Sequence, residues 1–328
     1  MSTETFQYAA ATAQLPHTAA DLSRYSSLTS TVPKELVHRA AVAEVLLTGW
    51  RRCAENRFTL SAQWPRGHSF FTAVNGTHYD PLMVAETIRQ VGSLIAHVEF
   101  DVPLGHQFQM RDLEVAVEPQ HLRVEHIPAS LELDVTYTET KQRRRGHTAA
   151  RYQAVVRRDG HVVATGGASY TCVSSEVYER LRGKRAEGDA LPALRLTAPV
   201  SPQSVGRMSP MDVVLSPLGE PGRWQLRVDT RHPILFDHPV DHIPGMMLIE
   251  AARQATAAVL KKASPSAEAF LPVRIVNEFQ RYAELHTPCV VEARLLPTGS
   301  GDGLVLVSAE QEGERLFTAT VAARALHS

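Results

Sequence analysis

His242-Ile-Pro-Gly-Met-Met-Leu-Ile-Glu250-Ala-Ala-Arg253-Gln254 repeats the polar pattern of an earlier stretch, His78-Tyr-Asp-Pro-Leu-Met-Val-Ala-Glu86-Thr-Ile-Arg89-Gln90. The matching His, Glu, Arg and Gln residues stand 164 positions apart (250 − 86, for example), and His68 and His232 keep that offset. One offset held over such a span marks an internal duplication. In each copy Glu, Arg and Gln fall at i, i+3 and i+4, so they project from one helical face. The remaining positions, Leu82 to Ile95 and Met246 to Val259, are apolar nearly all round, which predicts a buried helix in each copy. Ionised groups there are costly unless paired or functional. Glu86, Arg89, Gln90, Glu250, Arg253 and Gln254 are therefore candidate site residues. The alternative is an internal Glu–Arg pair that only sets helix register.

Around these helices the chain reads as an ordinary globular protein of 328 residues, 44% apolar and 21% charged. A net charge of −1 gives no basic field for nucleic acid or an anionic membrane, and neither partner is expected. Cys53, Cys172 and Cys289 are widely spaced, which suggests neither a disulfide framework nor a cysteine zinc site. The polar N-terminus lacks the apolar core of a signal peptide, and no apolar run reaches bilayer length. A cytoplasmic location is expected.

Residues 1–32, rich in Ser, Thr and Ala, read as a loosely ordered arm. A first domain is expected over 33–175, a linker over 176–203 and a second domain over 204–328. Helices are expected at 81–98 and 245–262. Alternation predicts strands at 58–64, 108–118, 129–138, 148–158 and 161–173, then near 223–229, 270–281, 288–297, 303–310 and 314–325. Asp159-Gly160 is a hairpin turn signal. Each half is thus an antiparallel sheet wrapped around one long buried helix, an α+β architecture that looks like a tandem (double) hotdog fold.

The second loop, His238-Pro-Val-Asp-His242-Ile-Pro-Gly245 followed by Glu250 and Gln254, is similar to the His…Pro-Gly…Glu pattern of hotdog dehydratases that act on hydroxyacyl carrier proteins. Here the His-to-Pro spacing is two residues shorter and Arg253 precedes Gln254. The run Asp237 to Gln254, with Tyr79-Asp-Pro and Glu86-Thr-Ile-Arg-Gln90, more closely resembles the A-factor biosynthesis family of γ-butyrolactone autoregulator synthases. That resemblance implies transfer of a β-ketoacyl group from acyl carrier protein to the hydroxyl of dihydroxyacetone phosphate, with no cofactor. A thioesterase or dehydratase, and a non-catalytic ligand-binding regulator, are the alternatives.

The residue types suit acyl transfer. A hydroxyl attacking a thioester needs a base, which a tuned carboxylate or imidazole can supply. Glu86, His238, Glu250 and Arg253 are the catalytic candidates. Arg89, Gln90, His242, Gly245, Gln254 and Arg274 are the substrate-binding candidates. The helix start at Pro244-Gly245 offers N–H groups to an oxyanion, and a buried Arg suits the phosphate. His238 and His242, with Asp237 and Asp241, carry metal-ligand types, but the flanking prolines disfavour helical ligand spacing, and no metal is expected. Position 74, equivalent to His238, is Val, and Asn75 replaces Pro239, so of two composite sites one active site and one degenerate or binding site are expected. The basic run Lys141 to Arg145 is either a solvated hairpin tip or a dock for an acidic carrier protein. The chain is expected to act as a monomeric pseudo-dimer or a homodimer.

Overall fold

The computed structural model describes residues 29–72, 74–143, 147–183, 194–299 and 302–326. Residues 1–28 of the expected arm, Arg144 and Arg145 of the basic run, and residues 184–193 lie outside the described residues. Helix α1 spans Pro81–Glu99 and α3 spans Gly245–Ala263, close to the expected limits. Their apolar faces are buried all round, as the pattern requires: Leu82, Val84, Ile88 and Leu94 in α1, and Ile249, Ala252 and Ala255 in α3, are at most 1% exposed. Asp80 caps α1 by accepting the Leu82 N–H at 2.9 Å, and Pro81 opens the helix.

Both helices lie against one twelve-stranded antiparallel sheet. In the first half these strands are β1 (Leu47–Ala54), β2 (Arg57–Trp64), β3 (Gln107–Val117), β4 (Ala129–Arg143), β5 (His147–Arg158) and β6 (His161–Val173). In the second half they are β7 (Leu215–Pro217), β8 (Arg223–Leu226), β9 (Ala269–Phe279), β10 (Val290–Leu296), β11 (Gly303–Gln311) and β12 (Glu314–Leu326). The order β1-β2-β4-β5-β6-β3-β9-β12-β11-β10-β8-β7 reads the same from either end once the halves are matched. The halves meet where β3 pairs with β9, and Leu113 opposes Asn277, 164 residues on. An internal two-fold axis passes through that pair. The Asn277 side-chain amide donates to the Leu113 carbonyl at 3.0 Å across it.

Three elements depart from the expectation, the shortest being the three-residue β7, too brief to show alternation. Strand β1 carries almost no buried residues and so lacks the alternation that reveals a strand. The segment expected to begin the linker instead forms helix α2, Ser175–Arg182, capped by Ser174. The expected hairpin is present: Asp159 and Gly160 have φ of 50° and 79°. No helix among the described residues is long and apolar enough to cross a membrane.

Candidate active site

The duplicated polar trio builds the same charge cluster twice. Glu86 accepts from Arg89 Nε (2.9 Å), Arg89 Nη2 (2.7 Å) and Gln90 Nε2 (2.7 Å). Arg39 adds a hydrogen bond from Nε at 3.0 Å and an ion pair through Nη2 at 2.7 Å. Glu250 accepts from Arg253 Nε (2.8 Å) and Nη2 (2.6 Å), from Arg207 Nε (2.8 Å) and from Gln254, and Arg207 Nη2 forms an ion pair with it at 2.8 Å. Gln90 then ties the preceding turn to the helix, accepting from Leu46 N and donating to the Glu44 carbonyl. Gln254 does the same with Val214 N and the Asp212 carbonyl.

Burial alone would raise the Glu86 and Glu250 carboxyls, but their two arginines outweigh it and hold each at about 2. Both carboxylates are ionised and crowded with donors, unlike the surroundings of a proton acceptor. The clusters also stitch the halves together. Arg39 Nη1 donates to the Ile234 carbonyl at 3.4 Å, and Arg207 Nη1 donates to the Phe70 carbonyl at 2.5 Å, the equivalent residue of the other half. His68 and His232 shape these loops. Each accepts two backbone N–H bonds at Nδ1 and sets Nε2 3.3 Å from a carboxylate, Glu44 or Asp212.

A cavity of about 490 Å³ opens beside the first cluster. Arg89, Gly92 and Ser93 of α1, with Tyr152 and Tyr170, form one wall. The loop from Ile234 to Met246, the first turns of α3 and Phe279 to Ala283 form the other. The site is therefore composite, one wall from each half. Its two helix starts differ: Asp80 caps α1, whereas Pro244 at the equivalent position gives α3 no side-chain cap. A Cβ at Gly245 would lie 3.1 Å from the Phe279 ring, tighter than an ordinary contact.

The loop is pinned from two sides. Asp237 accepts the Ala40 and Ala41 backbone N–H groups at 2.6 and 3.2 Å, and His238 beside it is 45% exposed with Nδ1 3.7 Å from that carboxylate. His242 Nδ1 lies 2.8 Å from Asp241 Oδ1, which also accepts from the Tyr178 hydroxyl at 2.7 Å. Arg182, at the end of α2, donates to Asp241 (3.0 Å) and to both Glu284 oxygens (2.7 and 2.9 Å) while its guanidinium stacks 4.6 Å over Tyr282. Burial opposes ionisation of Asp241, but His242, Tyr178 and Arg182 hold its carboxyl well below the usual range.

Over residues 20–174 and 189–327 the chain matches the model of the A-factor biosynthesis hotdog domain. It belongs to that family. A curated relative from Streptomyces virginiae, 2-oxo-3-(phosphooxy)propyl 3-oxoalkanoate synthase, is 52% identical over 298 residues, covering 90% of this chain and 99% of the relative. Proteins of the same name from Streptomyces coelicolor (94% of this chain, 96% of the relative) and Streptomyces griseus (89% and 95%) are each 38% identical.

For a member of the A-factor biosynthesis family, the candidates fall into three groups. Arg89, His238, His242 and Gly245 line the cavity; Glu86 and Gln90 stand behind Arg89 and fix it. Glu250, Arg253 and Gln254 form the equivalent cluster away from the cavity, among the described residues. Arg274 is a correction: its side chain is 60% exposed, 3.4 Å from Glu114 on neighbouring β3, and outside the cavity wall. Arg39 and Arg207 escaped the sequence reading. Val37-His-Arg39 and Val205-Gly-Arg207 repeat at an offset of 168 rather than 164, so the search at one offset misses them.

Proposed function

We propose that this protein transfers a 3-oxoacyl group from an acyl carrier protein thioester to the free hydroxyl of dihydroxyacetone phosphate, forming a 2-oxo-3-(phosphooxy)propyl 3-oxoalkanoate. The observation that carries this reading is one cavity lined both by Arg89, whose Nη1 has no partner among the described residues, and by the uncapped start of α3. Arg89 is fixed by Glu86 and by its bond to the Val37 carbonyl at 3.0 Å, so Nη1 is aimed at the acceptor's phosphate before it arrives. The thioester carbonyl sits at Pro244-Gly245, where the first backbone N–H groups of α3 receive the growing oxyanion. Ile243, Leu248, Ile249 and Phe279 give the acyl chain an apolar wall.

The acceptor oxygen bonds to the carbonyl carbon and loses its proton to an imidazole of the wall. The C–S bond then breaks, and sulfur leaves as the thiol of the carrier's prosthetic arm. Glu86 acts through Arg39 and Arg89, and Glu250 with Arg253 holds the second half in the same way, so neither carboxylate contacts substrate. His242, held by Asp241, shapes the thioester end, and exposed His238 stands on the same loop. Exposed Arg111 and Arg281 also line the cavity and suit an acidic carrier protein. Both walls belong to one chain, so a monomer carries a complete site.

The test is to incubate the protein with a 3-oxoacyl thioester, with and without dihydroxyacetone phosphate, and analyse products by mass spectrometry. A phosphorylated ester that requires the acceptor supports the reading. Free acid alone, or an enoyl product from a hydroxyacyl thioester, assigns a hydrolase or dehydratase instead.

A further inference from the structure

His38 lines the cavity in a backbone conformation that its position elsewhere in the fold gives to glycine. It ends a 3-10 turn at φ 53°, ψ 54°, while the equivalent turn of the second half ends in Gly206 at φ 69°, ψ 31°. A side-chain-bearing residue held there is a strained choice, and such outliers gather at functional sites.

The hydrogen bonds around the ring fix its protons. His97 Nδ1 lies 2.6 Å from the Val102 carbonyl, which can only accept, so that nitrogen carries the proton. Neutral His97 then has a bare Nε2, which lies 2.8 Å from His38 Nε2 and must accept from it. With its proton on Nε2, neutral His38 has a bare Nδ1. Among the described residues nothing donates to that atom. The second half has no counterpart of this chain: Lys261 stands 164 residues after His97 and donates to the Ala267 carbonyl.

We propose that His38 is the catalytic proton acceptor of this site and that His97 is its positioning and relay partner, an assignment that rests on the acyl-transfer reading above. As the acceptor oxygen bonds to the thioester carbonyl carbon, its proton passes to His38 Nδ1, and the His38 Nε2 proton passes to His97 Nε2. When the tetrahedral adduct collapses, the C–S electron pair leaves with sulfur. The relay runs back, His38 delivers the proton to that sulfur, and both rings return to neutrality.

The surroundings favour this order of events. Burial, then Arg89, then His97 and His238 push His38 down to about 3, so the empty site keeps Nδ1 bare. A phosphate bound to Arg89 offsets the nearest of these charges, and handing the second proton to His97 moves positive charge away from Arg89. Water entering without a phosphate lacks the offset of the Arg89 charge, which separates transfer from hydrolysis.

The test uses the full chain with His38→Gly, the residue that the second half carries at this φ, beside His97→Phe and His242→Gln. His38→Gly is expected to lower kcat by about 100- to 10,000-fold, the range of a lost general base. Both Michaelis constants should stay within about threefold and Tm should not fall, since binding is untouched and the turn is relaxed. Free imidazole should restore part of kcat in this variant and not in His242→Gln. His97→Phe should lower kcat less. The 15N shifts of the wild-type imidazole should report a bare His38 Nδ1. Wild-type kcat in His38→Gly, a loss confined to the Michaelis constants, a protonated His38 Nδ1, or imidazole rescue of His242→Gln instead would each overturn the assignment while leaving acyl transfer intact. Absence of any phosphorylated ester from the wild type would overturn both.

Discussion

Arg89→Lys and Arg253→Lys are the same change at equivalent positions, and only one of them faces the cavity. Each arginine loses the fork that grips its carboxylate, at 2.9 and 2.7 Å for Arg89 and at 2.8 and 2.6 Å for Arg253. Lysine keeps the charge but offers a single compact donor group in place of the planar array. Loss of one to two charge-assisted bonds should cost about 2–4 kcal/mol in both variants, with a Tm drop of about 5–10 °C. Arg89→Lys should in addition remove the Nη1 contact to phosphate. At about 1.5–3 kcal/mol for such a bond, the acceptor's Michaelis constant rises about 10- to 150-fold while that of the thioester changes little. The assay is initial-rate kinetics with each substrate varied, plus thermal unfolding of both variants. The reasoning is refuted if Arg253→Lys raises the acceptor constant as much as Arg89→Lys does, or if Arg89→Lys acts on the thioester alone.

Acid should unfold the protein between about pH 4.5 and 2. Glu86 and Glu250 are held at about 2 in the fold against an ordinary 4.5, so their contribution is fully present above 4.5 and is lost as pH falls towards 2. Circular dichroism through that window should show the loss, and Glu250→Gln should flatten it while lowering stability at pH 7. Arg182→Met should lower kcat and stability together, because Asp241 and Glu284 lose their shared cation and the His242 loop its brace; unchanged turnover at full folding would exclude α2 from positioning that loop. Arg274→Ala should leave both Michaelis constants unchanged and move stability by less than about 0.5 kcal/mol, as befits an exposed pair.

The parts of the fold legible in the sequence are those governed by local pattern. Helices α1 and α3 were visible because an all-round apolar period is bounded by Asp-Pro in one copy and Pro-Gly in the other. The hairpin at Asp159-Gly160 was visible because its turn needs positive φ at both residues. Strand β1 was not, since Thr48 to Ala54 face solvent enough to erase alternation. Helix α2 was not, because its charged Glu176 to Arg182 gains meaning only when Arg182 meets Asp241, 59 residues on. The candidate site was legible as a set of residue types and not as roles. A Glu inside an apolar helix reads alike whether it accepts a proton or anchors arginines, and only the arrival of Arg39 and Arg207 distinguishes the two. His38 and His97 lie 59 residues apart with no motif between them, so their contact belongs to the fold alone.

Duplication followed by divergence explains why one cavity is built from two nearly equivalent halves. In a dimer of identical chains every change at a helix start would alter both sites; within one chain the two can drift apart. Here α3 begins at Pro244-Gly245 with its first N–H groups uncapped, while α1 begins with Asp80, whose carboxylate satisfies the Leu82 N–H. Asp80 is 2% exposed, and burial raises its carboxyl, an effect that Arg253 and then Arg207 oppose. A protein carboxyl thus stands near the arginines of the second cluster, where the first cluster meets an open cavity. In the second cluster Arg207 bonds the Phe70 carbonyl of the other half, so this cluster also ties the halves together. The first half keeps His38 at φ 53° and, among the described residues, an Arg89 Nη1 without a partner, where the second half has Gly206 at φ 69° and Arg253 set beside the buried Asp80 carboxyl.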